Sequence, residues 1–168
     1  MAGKHRKALS EAYSSTYKVR HLAEAGVDQA FPLVREIAGS LSLADWRRHA
    51  AMLIWTGRER PPDSGIVVVQ RHNSNYIRGL CAYRLCPDLA VSFRLIVGCF
   101  AVPEAVDCAS VARALIAACG SIAEAHDCRA VQVLLVEPNS WVAPLLHKAG
   151  YCVDQGSFVR LLLSHGSP

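Results

Sequence analysis

Apolar residues follow two different spacings along the chain, and each spacing predicts a type of element. Alternating or continuous apolar stretches predict short strands. These strands are predicted at 17–22, 65–71, 76–85, 93–103, 130–136 and 157–163. Apolar residues three or four positions apart predict helices. These helices are predicted from Val27 to Ile37, from Leu43 to Ile54, from Val111 to Ile122, and from Ser140 onward.

Turn and capping residues mark where these elements begin and end. Gly39 is a stop signal for the first helix, and Ser42 can cap the second. The polar run 72–75 predicts a hairpin turn, and 58–65 and 86–92 are loops by composition. The predicted order is β-α-α-β-β-β-α-β-α-β.

The connections between these elements predict the fold. A strand, a helix and a second strand from 93 to 136 form a crossover, so those two strands should be parallel. The strands joined by short turns should be antiparallel. We therefore expect an α/β (mixed α+β) domain with a twisted central sheet of about six to seven strands, flanked by about four helices.

Composition fits one soluble domain. The chain has 168 residues, of which 52% are apolar and 19% charged, which allows a sizeable core. We expect a polar, basic tail at 1–16 and a domain at 17–164. No apolar stretch is long enough to cross a bilayer, and the N-terminus has no apolar signal region. A cytoplasmic location and no membrane partner are expected.

The cysteine spacing and the net charge argue against a metal site and against a nucleic-acid partner. The seven cysteines include no CxxC pair and no zinc-type spacing with histidine, so we expect reduced thiols and no metal site. The net charge of +4 is modest. Because no basic stripe with interleaved aromatics is present, nucleic acid is not an expected partner.

Two segments resemble a known family in the right order. "YKVRHLAEAGVDQAFPLV" lies at the start of the chain, and "EPNSWVAPLLHKAGY" lies near its end, on either side of a strand that ends in Val-Pro-Glu. From Tyr17 to Leu163 the chain resembles the GNAT superfamily of acyl-CoA-dependent N-acetyltransferases. The resemblance implies a single GNAT-like domain and an acyl-CoA, with acetyl-CoA as the expected co-substrate.

The resemblance also implies where the co-substrate would lie. In the family, a Gln/Arg-x-x-Gly-x-Gly/Ala loop holds the pyrophosphate with main-chain N–H groups and a helix N-terminus. The corresponding 102–115 has no glycine, and Ser110 and Ala112 stand at its small positions. The implied cofactor-binding residues are Phe100, Ala101, Val102, Asp107, Cys108, Ala109, Ser110, Val111, Ala112 and Asn139.

Some of these residues have a simpler interpretation. A carboxylate at Asp107 would repel pyrophosphate unless it turns away, and it can instead be a helix N-cap. Asn139 can cap the helix that starts at Ser140. Gly150 is expected to end that helix in a left-handed conformation.

Catalytic groups are less well marked. A general base should deprotonate the ammonium of the acceptor, and Glu137, followed by Glu104, is the candidate because both come at strand ends. Each can also be a solvated charge. Leu146 stands where many family members carry a Tyr that acts as the general acid. The neighbouring His147 is expected to be a surface residue.

The sequence does not decide the roles of some other residues near the candidate site. Tyr76, Tyr83 and Trp55 can line an acceptor pocket or belong to the core. Cys99 is not assigned as a nucleophile, because the sequence shows no group that would activate it.

Two functions remain after this reading. The first is an N-acyltransferase that moves an acyl group from acyl-CoA to a primary amine, on a small molecule or a protein, by direct attack. The second is a catalytically inactive GNAT-like domain that binds a ligand or a protein partner. An exposed sheet edge near the C-terminus would also allow a homodimer.

Overall fold

A computed structural model describes residues 16–54, 63–136 and 141–162 of the chain. Within these ranges the protein forms one sheet with strand order β1-β2-β3-β4-β5-β7-β6. The strands are β1 (Tyr17–His21), β2 (Ser64–Arg71), β3 (Ile77–Asp88), β4 (Ser92–Ala101), β5 (Ala130–Val133), β6 (Cys152–Asp154) and β7 (Ser157–Leu161). The α-helices are α1 (Val27–Ile37), α2 (Leu43–Leu53), α3 (Cys108–Ala125) and α4 (Ala143–Lys148), and a 3-10 turn at Glu24–Gly26 precedes α1.

The sheet is mixed, as the sequence predicts. β4 and β5 are parallel, with Arg94 beside Ala130 and Val97 beside Val133. All the other neighbouring strands are antiparallel. The crossover through α3 and the mixed α/β architecture are therefore confirmed.

Helices cover both faces of the sheet, and side chains alternate between two cores along each strand. On β3, Cys81 and Tyr83 belong to the core under α3 and α4. Leu80 and Ala82 belong to the core under α1 and α2. This period of two places successive side chains on opposite faces.

The helix boundaries follow local hydrogen bonds. Ser42 caps α2 as predicted, since its hydroxyl accepts the N–H of Asp45 at 3.1 Å. The indole N–H of Trp46 donates to the carbonyl of Val27 at 2.7 Å and fixes α2 against α1. Gly150 follows α4 with a φ of 85°, which confirms its predicted left-handed conformation.

Three predicted boundaries are wrong. The loop expected at 86–92 is a tight turn, because β3 extends to Asp88 and β4 begins at Ser92. The carboxylate of Asp88 accepts the N–H groups of Ala90 and Val91 and closes this turn. β4 ends at Ala101 rather than 103, and β5 ends at Val133 rather than 136.

The sequence did not single out β6. This short edge strand pairs with β7 across a turn in which Gln155 and Gly156 have φ values of 45° and 79°. It is only three residues long and fully exposed, so it leaves no apolar pattern.

Helix α3 is the central helix of its core. By length and composition α3 could cross a membrane, a property that core helices of globular proteins share, and 50% of it is buried within the protein. Its first turn lies against β3 at Gly79. A Cβ atom there would lie 2.6 Å from Cγ1 of Val111 and 3.1 Å from Cγ2 of Val102, so only glycine permits this approach.

Replacing Gly79 should therefore destabilise the protein. We expect Gly79→Ala to lower the free energy of unfolding by about 1–3 kcal/mol, because the added methyl group overpacks a β-branched neighbour. Gly39→Ala is the control, since a Cβ there would meet no atom within 4 Å. Urea denaturation measures both variants, and equal stabilities would contradict the close packing of α3 on β3.

Candidate active site

The sheet opens between its two parallel strands. The N–H of Leu134 donates to the carbonyl of Val97 at 2.9 Å, and the described part of the chain shows no β4–β5 pairing beyond this point. On the other side of β4, the register with β3 shifts at Gly98, which forms a bulge. The gap thus begins at the carboxyl ends of parallel strands, where ligands collect in such sheets.

The end of β4 lines this gap with main chain rather than side chains. The predicted residues Phe100, Ala101 and Val102 are 2%, 1% and 3% exposed. Their side chains pack in the two cores. Any contact that they make with a ligand in the gap would therefore use backbone groups.

The following helix offers main-chain donors at its N-terminus. The N–H of Cys108 donates to the carbonyl of Ala105, and those of Ser110 and Val111 donate to that of Asp107. The N–H of Ala109 has no acceptor in the described ranges. Among the described residues, the left-handed non-glycine residues are Ser92, Asp127 and Gln155. None lies in 102–112, so the backbone conformation of this loop does not require glycine.

Asp107 is turned away from the gap. Its carboxylate accepts hydrogen bonds from Arg78 at 2.7 Å, from Arg71 at 3.0 Å and from the hydroxyl of Tyr17 at 2.9 Å. Asp107 occupies the N-cap position but makes no side-chain cap. Partial burial opposes ionisation, but the three hydrogen bonds outweigh it and lower the pKa of Asp107 to about 2.

A shallow cavity of about 450 Å³ lies at the N-terminus of α3. It is lined by Glu104, Ala105, Cys108 and Trp141. The indole N–H of Trp141 is buried and has no hydrogen-bond partner among the described residues. This cavity brings the predicted Glu104 and Cys108 together beside the start of the α4 region.

A second cleft of about 380 Å³ lies on the opposite face of the sheet, between α2 and the paired segments 82–86 of β3 and 96–99 of β4. Among the described residues it is lined by His49, Leu53, Ala82, Tyr83, Arg84, Cys86, Ile96, Gly98 and Cys99. We call this space the α2 cleft. Because Gly98 forms the bulge where the gap begins, the α2 cleft opens directly beside the gap.

Comparisons with known proteins find likeness only in structure. No family model and no curated protein matches the chain. A chain of the NatC complex, solved with Gag peptide and CoA, is 14% identical with a TM-score of 0.66, over 88% of this chain and 99% of that one. A GCN5-related N-acetyltransferase from Kribbella flavida is 19% identical with a TM-score of 0.66, over 88% and 98%.

A third similar structure is an aminoglycoside N-acetyltransferase in complex with CoA. It is 13% identical with a TM-score of 0.65, over 89% of this chain and 94% of that one. The chain has the GNAT fold. At these identities the likeness concerns the fold, and the site must be judged from its own residues.

The α2 cleft holds two ionisable residues that the sequence did not indicate. His49 is half-buried, and burial, followed by the charge of Arg84, lowers its pKa below the ordinary value. Arg84 is exposed. The only hint was that His49 precedes the core residue Leu53 by one helical turn, which places both on one side of α2.

Cys99 also lies in the α2 cleft. Burial raises the pKa of its thiol to about 11, so the thiol stays protonated at neutral pH. Because the thiolate is the reactive form, a thiol in this environment is a poor nucleophile.

Other predicted residues have different surroundings. Leu146 is fully buried, and this chain therefore has no acidic side chain at this position of α4. His147 is exposed, as expected, and its Nδ1 lies 3.1 Å from the carbonyl oxygen of Tyr151. Tyr83 is buried, with its hydroxyl 3.0 Å from Nε2 of His21. Tyr76 is 76% exposed.

Some predictions lie outside the described residues. These are Glu137, Asn139, Trp55 and residues 1–15 of the predicted tail 1–16. Within the described ranges, no cluster of three or more His, Cys, Asp or Glu side chains could hold a metal ion.

The hydrogen bonds of Asp107 predict an acid-dependent loss of stability. Because its folded pKa of about 2 is below the usual value of about 3.9, its contribution is complete above that usual value and disappears as pH falls toward 2. We expect Asp107→Asn to be about 1–2 kcal/mol less stable at pH 7, with the difference shrinking below pH 4.

Urea denaturation from pH 2 to pH 7 measures this dependence. Asp154→Asn is the matched control, because Asp154 is exposed and makes no ion pair with a described residue. A constant difference between wild type and Asp107→Asn across the pH range would contradict the proposed linkage.

Proposed function

We propose that the chain is an acyltransferase that moves an acyl group, with acetyl as the simplest case, from acyl-CoA to a primary amine. The observation that carries the proposal is the gap between β4 and β5 beyond Val97, bordered by main chain and by the N-terminus of α3. Support comes from the similar structures, which include N-acetyltransferases and complexes with CoA.

The residues around the gap fit an acyl-CoA. The phosphates would lie against the first turn of α3, where the N–H of Ala109 and the helix dipole favour an anion. The small side chains of Ala109 and Ser110 allow a close approach. Asp107 does not oppose an anion, because Arg71 and Arg78 bind its carboxylate. Among the described residues that line the cavity, Glu104 carries the one unfavourable charge.

The acyl-CoA would supply a thioester-activated acyl group, and the chain would supply position and donors. In this proposal the main chain of 101–102 polarises the acyl carbonyl and stabilises the negative charge that develops on its oxygen. The amine enters from the α2 cleft and attacks the carbonyl carbon of the thioester beside Gly98, where cleft and gap meet. A C–N bond forms, the C–S bond breaks, and CoA leaves as a thiolate that takes up a proton from solvent. Direct attack requires no enzyme nucleophile.

We assign the proton acceptor to His49. A general base must take a proton from the ammonium before attack, and His49 lines the α2 cleft. Its lowered pKa keeps the imidazole neutral at pH 7. Glu104 lines the separate cavity beside Trp141, so it and Glu137 stay predictions with less support.

A second candidate function is ligand binding without catalysis. Leu146 favours it, because a buried leucine on α4 cannot protonate a departing thiolate. A domain of this kind would bind acyl-CoA and release no free CoA in the presence of amines. A cytoplasmic location and a homodimer through the edge strand β6 also stay predictions.

Calorimetric titration with acetyl-CoA and with CoA tests the proposed binding site. We expect Ala109→Glu to raise both dissociation constants at least about tenfold, because a carboxylate at the first turn of α3 repels phosphate. Ala117→Glu is the control, since Ala117 is an exposed position two turns further along α3. Absence of binding, or equal effects of both variants, would contradict the proposal.

The pH dependence of transfer tests His49. We expect the acid limb of kcat to fall below pH 6.5, since burial and Arg84 lower the pKa of His49. Cys99, which shares the cleft, is kept protonated by burial. His49→Gln should reduce kcat at least about 100-fold and remove the acid limb.

The control for His49→Gln is His72→Gln, because His72 is an exposed residue after β2. A free-thiol assay for CoA release gives kcat and KM. An unchanged acid limb in His49→Gln would assign the base elsewhere.

A further inference from the structure

We infer that the acceptor is a small amine that also carries a carboxylate, and that Arg84 binds this carboxylate. This inference rests on the proposed acyl transfer. It concerns the selection of the acceptor in the α2 cleft and not the binding of acyl-CoA.

The charge of the α2 cleft is the first reason. Among the described residues that line it there is no Asp or Glu, whereas Arg84 and His49 are both basic. A neutral His49, as its lowered pKa implies, leaves Arg84 as the fixed charge. A polar group of the acceptor that faces this arginine should therefore be anionic.

Arg84 is available for such a contact. It is exposed and makes no ion pair within the described part of the chain. The contrast with Arg94 is informative, since Arg94 binds Asp88 at 2.8 Å and the side-chain oxygen of Gln132 at 3.1 Å. Arg94 is thus neutralised internally, whereas Arg84 is open to a ligand.

The geometry sets the length of the acceptor. Arg84 lies beside Ile96 across β3 and β4, and the Cα atom of Gly98 is two residues further along β4, about 7 Å from that of Ile96. A carboxylate held by Arg84 would therefore place an amine near the bulge when a short carbon skeleton separates the two groups. The cleft volume of about 380 Å³ suits a molecule of amino-acid size.

The same features disfavour a polycationic acceptor. A second ammonium group in the cleft would meet Arg84 without a compensating carboxylate from the described lining. One protein of similar fold is an aminoglycoside N-acetyltransferase. The charge of the α2 cleft points to a different acceptor for this chain.

The experiment measures acetyl transfer from acetyl-CoA to three matched series. They are the standard L-amino acids, the same compounds as C-terminal amides, and aliphatic diamines. We expect kcat/KM for the best acid to exceed that for its amide at least about tenfold, as a charged hydrogen-bonded pair provides. Arg84→Gln should remove this preference by raising KM, and Arg84→Lys should restore part of it.

The control is Arg35→Gln, an exposed arginine on α1 outside the α2 cleft, which should keep the preference. Equal transfer to acids and amides, preferred transfer to diamines, or a preference that survives Arg84→Gln would overturn the inference while leaving acyl transfer intact. Absence of transfer to every compound would also overturn it. In that case calorimetry with acetyl-CoA shows whether the proposed function fails as well.

Discussion

Within the described residues, strand β4 has a hydrogen-bonded neighbour on both sides as far as Val97, and its ladder with the parallel strand β5 does not continue beyond it. Two local features produce this break. β5 stops at Val133, and Gly98 bulges from the register with β3. Most of the proposed chemistry depends on the resulting gap, because a ligand can approach the main chain of β4 where the β5 ladder has ended.

In the proposed function, the gap gives the two faces of the sheet different roles. On the α3 face, the first turn of α3 comes close to β3 because Gly79 has no side chain, and Arg71 and Arg78 hold Asp107. The helix N-terminus is thereby fixed beside the gap with its acid turned aside. On the α2 face, the cleft beside Gly98 contains a histidine and an open arginine. An acyl donor and an acceptor could thus approach β4 from opposite faces.

The sequence predicts the parts of this arrangement that depend on local pattern. Apolar periodicity predicts the order of strands and helices, and the crossover through α3 follows from chain connectivity. The roles of Ser42 and Gly150 at helix ends are predictable from the sequence, because helix caps depend on residue type. The ends of β3, β4 and β5 are less predictable, since pairing with a neighbour extends or shortens a strand. Cys86 becomes a strand residue only because Arg94 pairs with it.

The site depends on longer-range contacts that one sequence does not display. Asp107 is 29 residues from Arg78 and 90 from Tyr17 along the chain, so its orientation is a property of the folded sheet. His49 and Arg84 meet only when α2 packs on β3. The backbone conformation of the glycine-free loop is likewise visible only in the structure, where no described residue of 102–112 has a positive φ.

The central claim is that the gap between β4 and β5 and the first turn of α3 bind an acyl-CoA. Hydrogen–deuterium exchange with and without saturating CoA tests it most directly, because it locates the affected amides along the chain. The account predicts slower exchange within 98–112 and no change within 27–37 on α1. Unchanged exchange at 98–112, or protection confined to another segment, would contradict it.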